Sequence, residues 1–179
     1  MPLTNGRAPE SIGGVNETPC KTVDNARRFQ LVGVFVLLAV ASVFVHVLVH
    51  GFFYEPDSVS YLSLATNLFH HHGYQTFEGD WCAEWPPLVP VLLGLGQTAK
   101  LPDPYPFAMV NAASIAAIVA LSGVWLLRLT DNIKLTAAAL AIAIVSPPLL
   151  SIANAGYTEC LFTALCMGAL TAVDRYCSQ

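Results

Sequence analysis

Charge is what this sequence has least of. Asp, Glu, Lys and Arg make up only 11% of its 179 residues, against 55% hydrophobic side chains. Soluble domains carry about a quarter charged residues. This chain therefore lacks the polar coat that water demands, and much of its exterior must face lipid. Its net charge of −4 comes with no basic stripe and no arginine cluster, which excludes a nucleic-acid-binding surface. The five cysteines (Cys20, Cys82, Cys160, Cys166 and Cys177) show no CxxC and no His/Cys ligand spacing. Cys82 alone falls in the long polar segment described below, so the reading is free thiols and no metal centre. Internal repeats are absent, and His70-His71-His72 is the only low-complexity tract.

A secretory signal is also missing. Residues 1–28 are polar, with proline and glycine, and the apolar run behind them is about twice the length of a signal core. They read as a disordered cytoplasmic tail ahead of an uncleaved anchor.

What is present is a set of long apolar runs. Residues 29–53 and 107–129 each contain enough apolar residues to cross a hydrocarbon core about 30 Å thick at 1.5 Å per residue. Residues 134–150, closing on Pro147-Pro148, and 157–174 are shorter spans. Arg7, Lys21, Arg27, Arg28, Arg128, Lys134 and Arg175 then fall on one side and Lys100 on the other. The positive-inside rule assigns the first group to the cytoplasm. The expected fold is an all-α integral membrane protein of about four transmembrane helices, multi-pass in the plasma (inner) membrane, with a cytoplasmic N-terminus. Residues 54–106 form its large extracytoplasmic loop.

That loop carries the polar chemistry. Tyr61, Leu64, Ala65 and Leu68 recur at three- and four-residue spacing, which predicts an amphipathic surface helix over 58–70, ended by Gly73. A second, interfacial helix is expected over 87–98, too short to cross, with Trp81, Trp85 and Tyr105 at headgroup level. Asp57 stands just before the first of these helices, where it reads as an N-cap. A carboxylate fixed at the mouth of a bundle can equally serve as a general base.

Asp57-Ser58-x-x-Tyr61-x-x-x-Ala65-x-x-Leu68, then Gly73, then Trp85-Pro86-Pro87-Leu88-Val89-Pro90, resembles the start of membrane-embedded glycosyltransferases of the GT-C class. The nearest branch is that of bacterial protein O-mannosyltransferases and lipid A aminoarabinose transferases. Ser146-Pro147-Pro148-Leu149-Leu150 and Thr158-Glu159-x-Leu161-Phe162 extend the resemblance, which runs in order over about residues 31–176. It implies transfer of a hexose or pentose from a polyprenyl-phosphate donor to a hydroxyl on the outer face, with Asp57 as catalytic base. Asp80 and Glu159 are the secondary carboxylates. Relatives often place a second acid where this chain has Ser58, and a lysine where it has Trp85. Tyr61, Trp85, His70 and Lys100 are left as donor or acceptor contacts. The family's larger span count implies that this chain is the N-terminal portion of such an enzyme, inactive alone, with a missing C-terminal half or a partner subunit. Membrane lipid is the other expected partner.

The remaining candidates have plainer readings beside their functional ones. His46 and His50 share a helix face but have no further ligand in other spans, so they read as polar groups facing the bundle or the headgroups. His70 to His72 point in three directions and read as a solvated helix end. Glu78, Asp80 and Glu84 supply oxygen ligands, and a divalent cation is the one cofactor candidate, but their spacing fits an ordinary solvated loop. Glu159 complements a helix dipole, with Thr158 as cap. Asn111 reads as an interhelical hydrogen-bond partner. The rival to an enzyme is a non-catalytic membrane scaffold or partner subunit that keeps the fold.

Overall fold

The computed structural model describes residues 20–178, and side chains from residue 25 onward. The expected disordered tail lies outside the described residues up to residue 19, as does the Cys20 side chain; its remaining residues, 20–28, are helical, which corrects that expectation. Seven helices follow one another in the described residues: α1 (Cys20–His50), α2 (Pro56–Phe69), α3 (Leu88–Thr98), α4 (Tyr105–Thr130), α5 (Ile133–Ile144), α6 (Pro147–Asn154) and α7 (Glu159–Cys177). Among the described residues the only β pairing is an isolated bridge between Gln75 and Trp81.

Three helices, α1 from Asn25, α4 and α7, are long and apolar enough to cross a membrane. α5 and α6 reach that length only as a pair, bent by 47° at their junction, and the pair is either one broken span or a re-entrant loop. Their outer surfaces fit this reading. Leu37, Leu48, Ile142 and Phe162 are each about 70% exposed or more in the isolated chain, a waste of apolar surface in water and the expected state in lipid.

The Pro147-Pro148 pair corrects one expectation. It was read as the end of a span, but it opens α6, occupying the first helical turn behind Ser146. Proline has no N–H to donate, so it interrupts α5, yet its fixed φ suits a first turn, where those N–H groups have no partner anyway. The residue before it is held extended, with Ser146 at φ −65° and ψ 115°. The result is a bent helix pair that runs on to Asn154.

α1 packs chiefly on α4, and α4 also contacts α5, α6 and α7. Ala39, Val43, Ala112, Ile115, Val119, Leu140 and Ile144 fill the centre. Small side chains let the helices approach closely, which is how packing is gained where no water is left to expel. Gly123 shows the limit: a Cβ there would lie 2.9 Å from Val32 and 3.3 Å from Leu140. Trp125 donates its indole N–H to Thr171 Oγ1 at 2.9 Å and ties α4 to α7.

At one end of the bundle, Arg28 pairs with Asp131 and Arg128 with Asp174. At the other end α2 lies on α3, and α3 on α4. Phe69 closes over Gly94, where an added Cβ would meet the ring within 3 Å. Gly94→Val is therefore expected to lower stability by about 1–3 kcal/mol. Phe69→Ala in the same chain should recover part of that loss, and thermal unfolding of the purified protein checks both.

Residues 70–87 fold back as a closed loop. The Asn67 side-chain amide donates to the carbonyls of Gln75 and Thr76 at 2.8 and 2.9 Å, and Tyr74 donates its hydroxyl to the Trp85 carbonyl at 2.9 Å. The first two bonds tie the loop to α2 and the third closes it on itself, without a disulfide.

Candidate functional site

The loop end of the bundle is organised around the short turn between α6 and α7. Three successive carbonyls there are each taken by a different element. Asn111 of α4 donates its amide to Ala153 O at 2.6 Å, the Phe53 backbone N–H donates to Asn154 O at 3.0 Å, and Ser58 of α2 donates its hydroxyl to Ala155 O at 2.6 Å. Asn154 returns a bond from its side-chain amide to Gly51 O at 2.6 Å. A helix end leaves its last carbonyls unpaired, and here the neighbouring elements satisfy them. Asn111 thus does bond between helices. Ser58, fully buried, holds the first turn of α2 against the turn before α7.

This latch sets the position of Asp57. Glu55, not Asp57, occupies the N-cap position of α2, and its side chain makes no capping bond. Pro56 takes the first helical position, so Asp57 lies inside the first turn, which corrects the N-cap reading. An acid there complements the helix dipole while leaving its oxygens uncommitted. Asp57 is half-buried and accepts no hydrogen bond from another described side chain.

One turn on, Tyr61 is 4% exposed and packs edge-on to Trp85, with ring centroids 5.1 Å apart. Burial raises the Tyr61 hydroxyl above its ordinary pKa; Thr158 works the other way, and the charges of Asp57 and Glu159 raise it further. The phenol therefore stays protonated through neutral pH. Tyr157 is likewise raised, first by Glu55, then by burial, Glu159 and Asp57. The charges of Asp57 and Glu159 thus act on both tyrosines, and that of Glu55 on Tyr157. Tyr157 and Glu55 escaped the sequence reading. The Gly156-Tyr157-Thr158-Glu159 run was visible, but nothing local tells that it meets Glu55.

Two concavities flank the mouth. A cavity of about 280 Å³ is lined by His46, Glu55, Asn154 and Tyr157. An almost wholly apolar groove of about 580 Å³ runs between α3, α4 and α7, past Leu92, Met109, Ala113, Leu161 and Leu165. Leu161 packs on the Tyr61 cluster as well, so the groove begins beside the mouth.

The other expected site residues lie apart. His70 caps the far end of α2, about 20 Å of helix from Asp57. Lys100 follows the end of α3 and is exposed; Gln97, three residues earlier, pairs with Thr66 in the second half of α2. Asp80 sits in the exposed tip of the loop, where its carbonyl accepts from the Thr76 N–H at 2.9 Å. Thr158 is at the N-cap of α7 but makes no side-chain cap bond. Among the described residues no three His, Cys, Asp or Glu side chains converge to hold a metal ion, and this includes Glu78, Asp80 and Glu84.

Comparison with protein-family models, curated proteins and solved structures returns no match. The functional reading therefore rests on the chain's own residues and on the sequence resemblance.

Proposed function

We propose that this protein contributes the acceptor-activating part of a GT-C-like glycosyltransferase. It acts at the extracytoplasmic face of the plasma (inner) membrane on a polyprenyl-phosphate sugar donor. One observation carries the reading. A half-buried, uncommitted carboxylate, Asp57, is held at the mouth of a lipid-facing bundle, beside an apolar groove large enough for a lipid chain.

In the proposed reaction, an acceptor hydroxyl gives its proton to the Asp57 carboxylate. Its oxygen attacks the anomeric carbon, and the bond from that carbon to the phosphate oxygen breaks. The lipid phosphate departs with the electron pair. Tyr61, kept protonated, and Trp85 offer a hydrogen-bond donor and an aromatic face one turn from the base. Glu159 is the secondary carboxylate.

A scaffold or partner subunit is the second reading, and a specific observation favours it. Lys100 is the only lysine or arginine between residues 29 and 127, and it lies beyond the second half of α2. Neither it nor His70 stands beside Asp57 to receive a donor phosphate.

Sugar transfer from a radiolabelled polyprenyl-phosphate donor, measured in native membranes with and without this chain, separates the two. Transfer that depends on the chain is the expected result. Unchanged transfer together with loss of a membrane complex would establish the scaffold.

Sidedness has its own test. Glu78 is exposed at the loop tip, so Glu78→Cys in a Cys82→Ser background is expected to react with a membrane-impermeant maleimide on intact cells. Reaction only after lysis, against the Cys82→Ser chain as blank, would end the outer-face reading.

A further inference from the structure

The opposite end of the bundle carries a second site, independent of the sugar-transfer reading. A concavity of about 390 Å³ opens there between the ends of α1, α4 and α7. Its wall includes three guanidinium groups: Arg28 from α1, Arg128 from α4 and Arg175 from α7. Its floor is apolar, made by Phe29, Val32 and Val124, and continues into the spans. One acid, Asp131, also lines it and is paired with Arg28. Arg128 pairs with Asp174 at 3.2 Å, and both partners are about half exposed, so that pair is weak. Arg175 has no ion-pair or hydrogen-bond partner among the described residues.

We infer that this concavity holds the headgroup of an anionic phospholipid. Three arginines against Asp131 and Asp174 leave a surplus of one positive charge, on Arg175, where a phosphate would lie. Guanidinium groups match phosphate oxygens in pairs. The apolar floor decides between a lipid and a soluble anion, because a free phosphate gains nothing from Phe29 and Val32, whereas a lipid places its glycerol and first methylenes on them. Depth agrees as well. Phe29, Leu129 and Tyr176 ring this end at 70%, 74% and 81% exposure, the level at which aromatic and long side chains meet headgroups. Basic pockets between span ends are a recurrent way of holding acidic headgroups.

Native mass spectrometry of the full chain released from nanodiscs of equal phosphatidylcholine and phosphatidylglycerol tests this. Bound phosphatidylglycerol is expected to exceed phosphatidylcholine several-fold. Arg175→Gln, at an exposed position that should not disturb folding, is expected to cut that preference about fivefold. Arg28→Gln is the second variant, and Lys100→Gln, at the other end, should leave the preference intact. Equal retention of the two lipids by the unmodified chain would overturn the proposal. So would a preference that survives both arginine variants, or displacement of the lipid by millimolar inorganic phosphate.

Discussion

Asp57→Asn is expected to lower sugar transfer by about 10²–10⁴-fold, the usual contribution of a positioned general base. The substitution keeps the size of the side chain and its place in the first turn of α2, where no hydrogen bond depends on it. Amount, membrane insertion and thermal unfolding should therefore match the parent. The loss should appear in kcat, with little change in KM for the acceptor, since proton removal belongs to the transition state. The measurement is transfer in native membranes whose only copy of the chain carries the change. Asp80→Asn is the matched control: Asp80 is an exposed acid in a loop tied to Asn67, late in α2, and its replacement should be silent. Full transfer by the Asp57 variant would remove the base and leave the scaffold reading.

Gly156→Val is expected to cost about 2–4 kcal/mol of stability and to dismantle the site with it. Gly156 has φ +67°, a left-handed conformation that a β-branched residue resists. Its surroundings are closed too. An added Cβ would lie 2.7 Å from Ser58 Oγ and 3.0 Å from Phe52 Cζ. Relieving that clash means moving Ser58, and with it the bond to Ala155 that seats the first turn of α2. Asp57 would lose its position although its own chemistry is untouched. Gly168 on α7 gives the contrast, with helical backbone and nothing within 4 Å of an added Cβ. Gly168→Ala should change stability by less than about 1 kcal/mol, in the favourable direction. Unfolding of the two variants in detergent, followed by circular dichroism, compares them directly. Equal behaviour would mean that the α6–α7 turn is not what holds the loop end together.

The helical class and the lipid-facing character were legible because they depend on composition over long windows. Residues 29–53 carry no formal charge and residues 107–129 only Arg128, near the end, and the structure has long helices over both. The surface helix was legible from the spacing of Tyr61, Leu64, Ala65 and Leu68, and Tyr61, Leu64 and Ala65 are buried on its inner face. Local boundaries were less so. Pro147-Pro148 stops one helix and starts the next, and a breaker read in isolation shows only the first of these. The N-cap shifted from Asp57 to Glu55 for a similar reason: Pro56 suits the first helical position, which leaves the cap to the residue before it.

By itself the sequence determined a set of helices, several of them long and apolar enough to cross a lipid bilayer. Burying charge there is costly, and every backbone polar group must find its partner along the helix. It also fixed Asp57 at the start of an amphipathic segment. The tertiary structure decided which groups share the field of Asp57. Tyr157 and Glu159 are about a hundred residues away in the chain, and they reach α2 only because Ser58, Asn111 and the Phe53 N–H each take a carbonyl of one turn. The same holds at the other end, where Arg28, Arg128 and Arg175 border one concavity only because α1 and α7 both pack on α4. Short-range patterns set the helices. Contacts between residues far apart in the chain, which no local period encodes, set the sites.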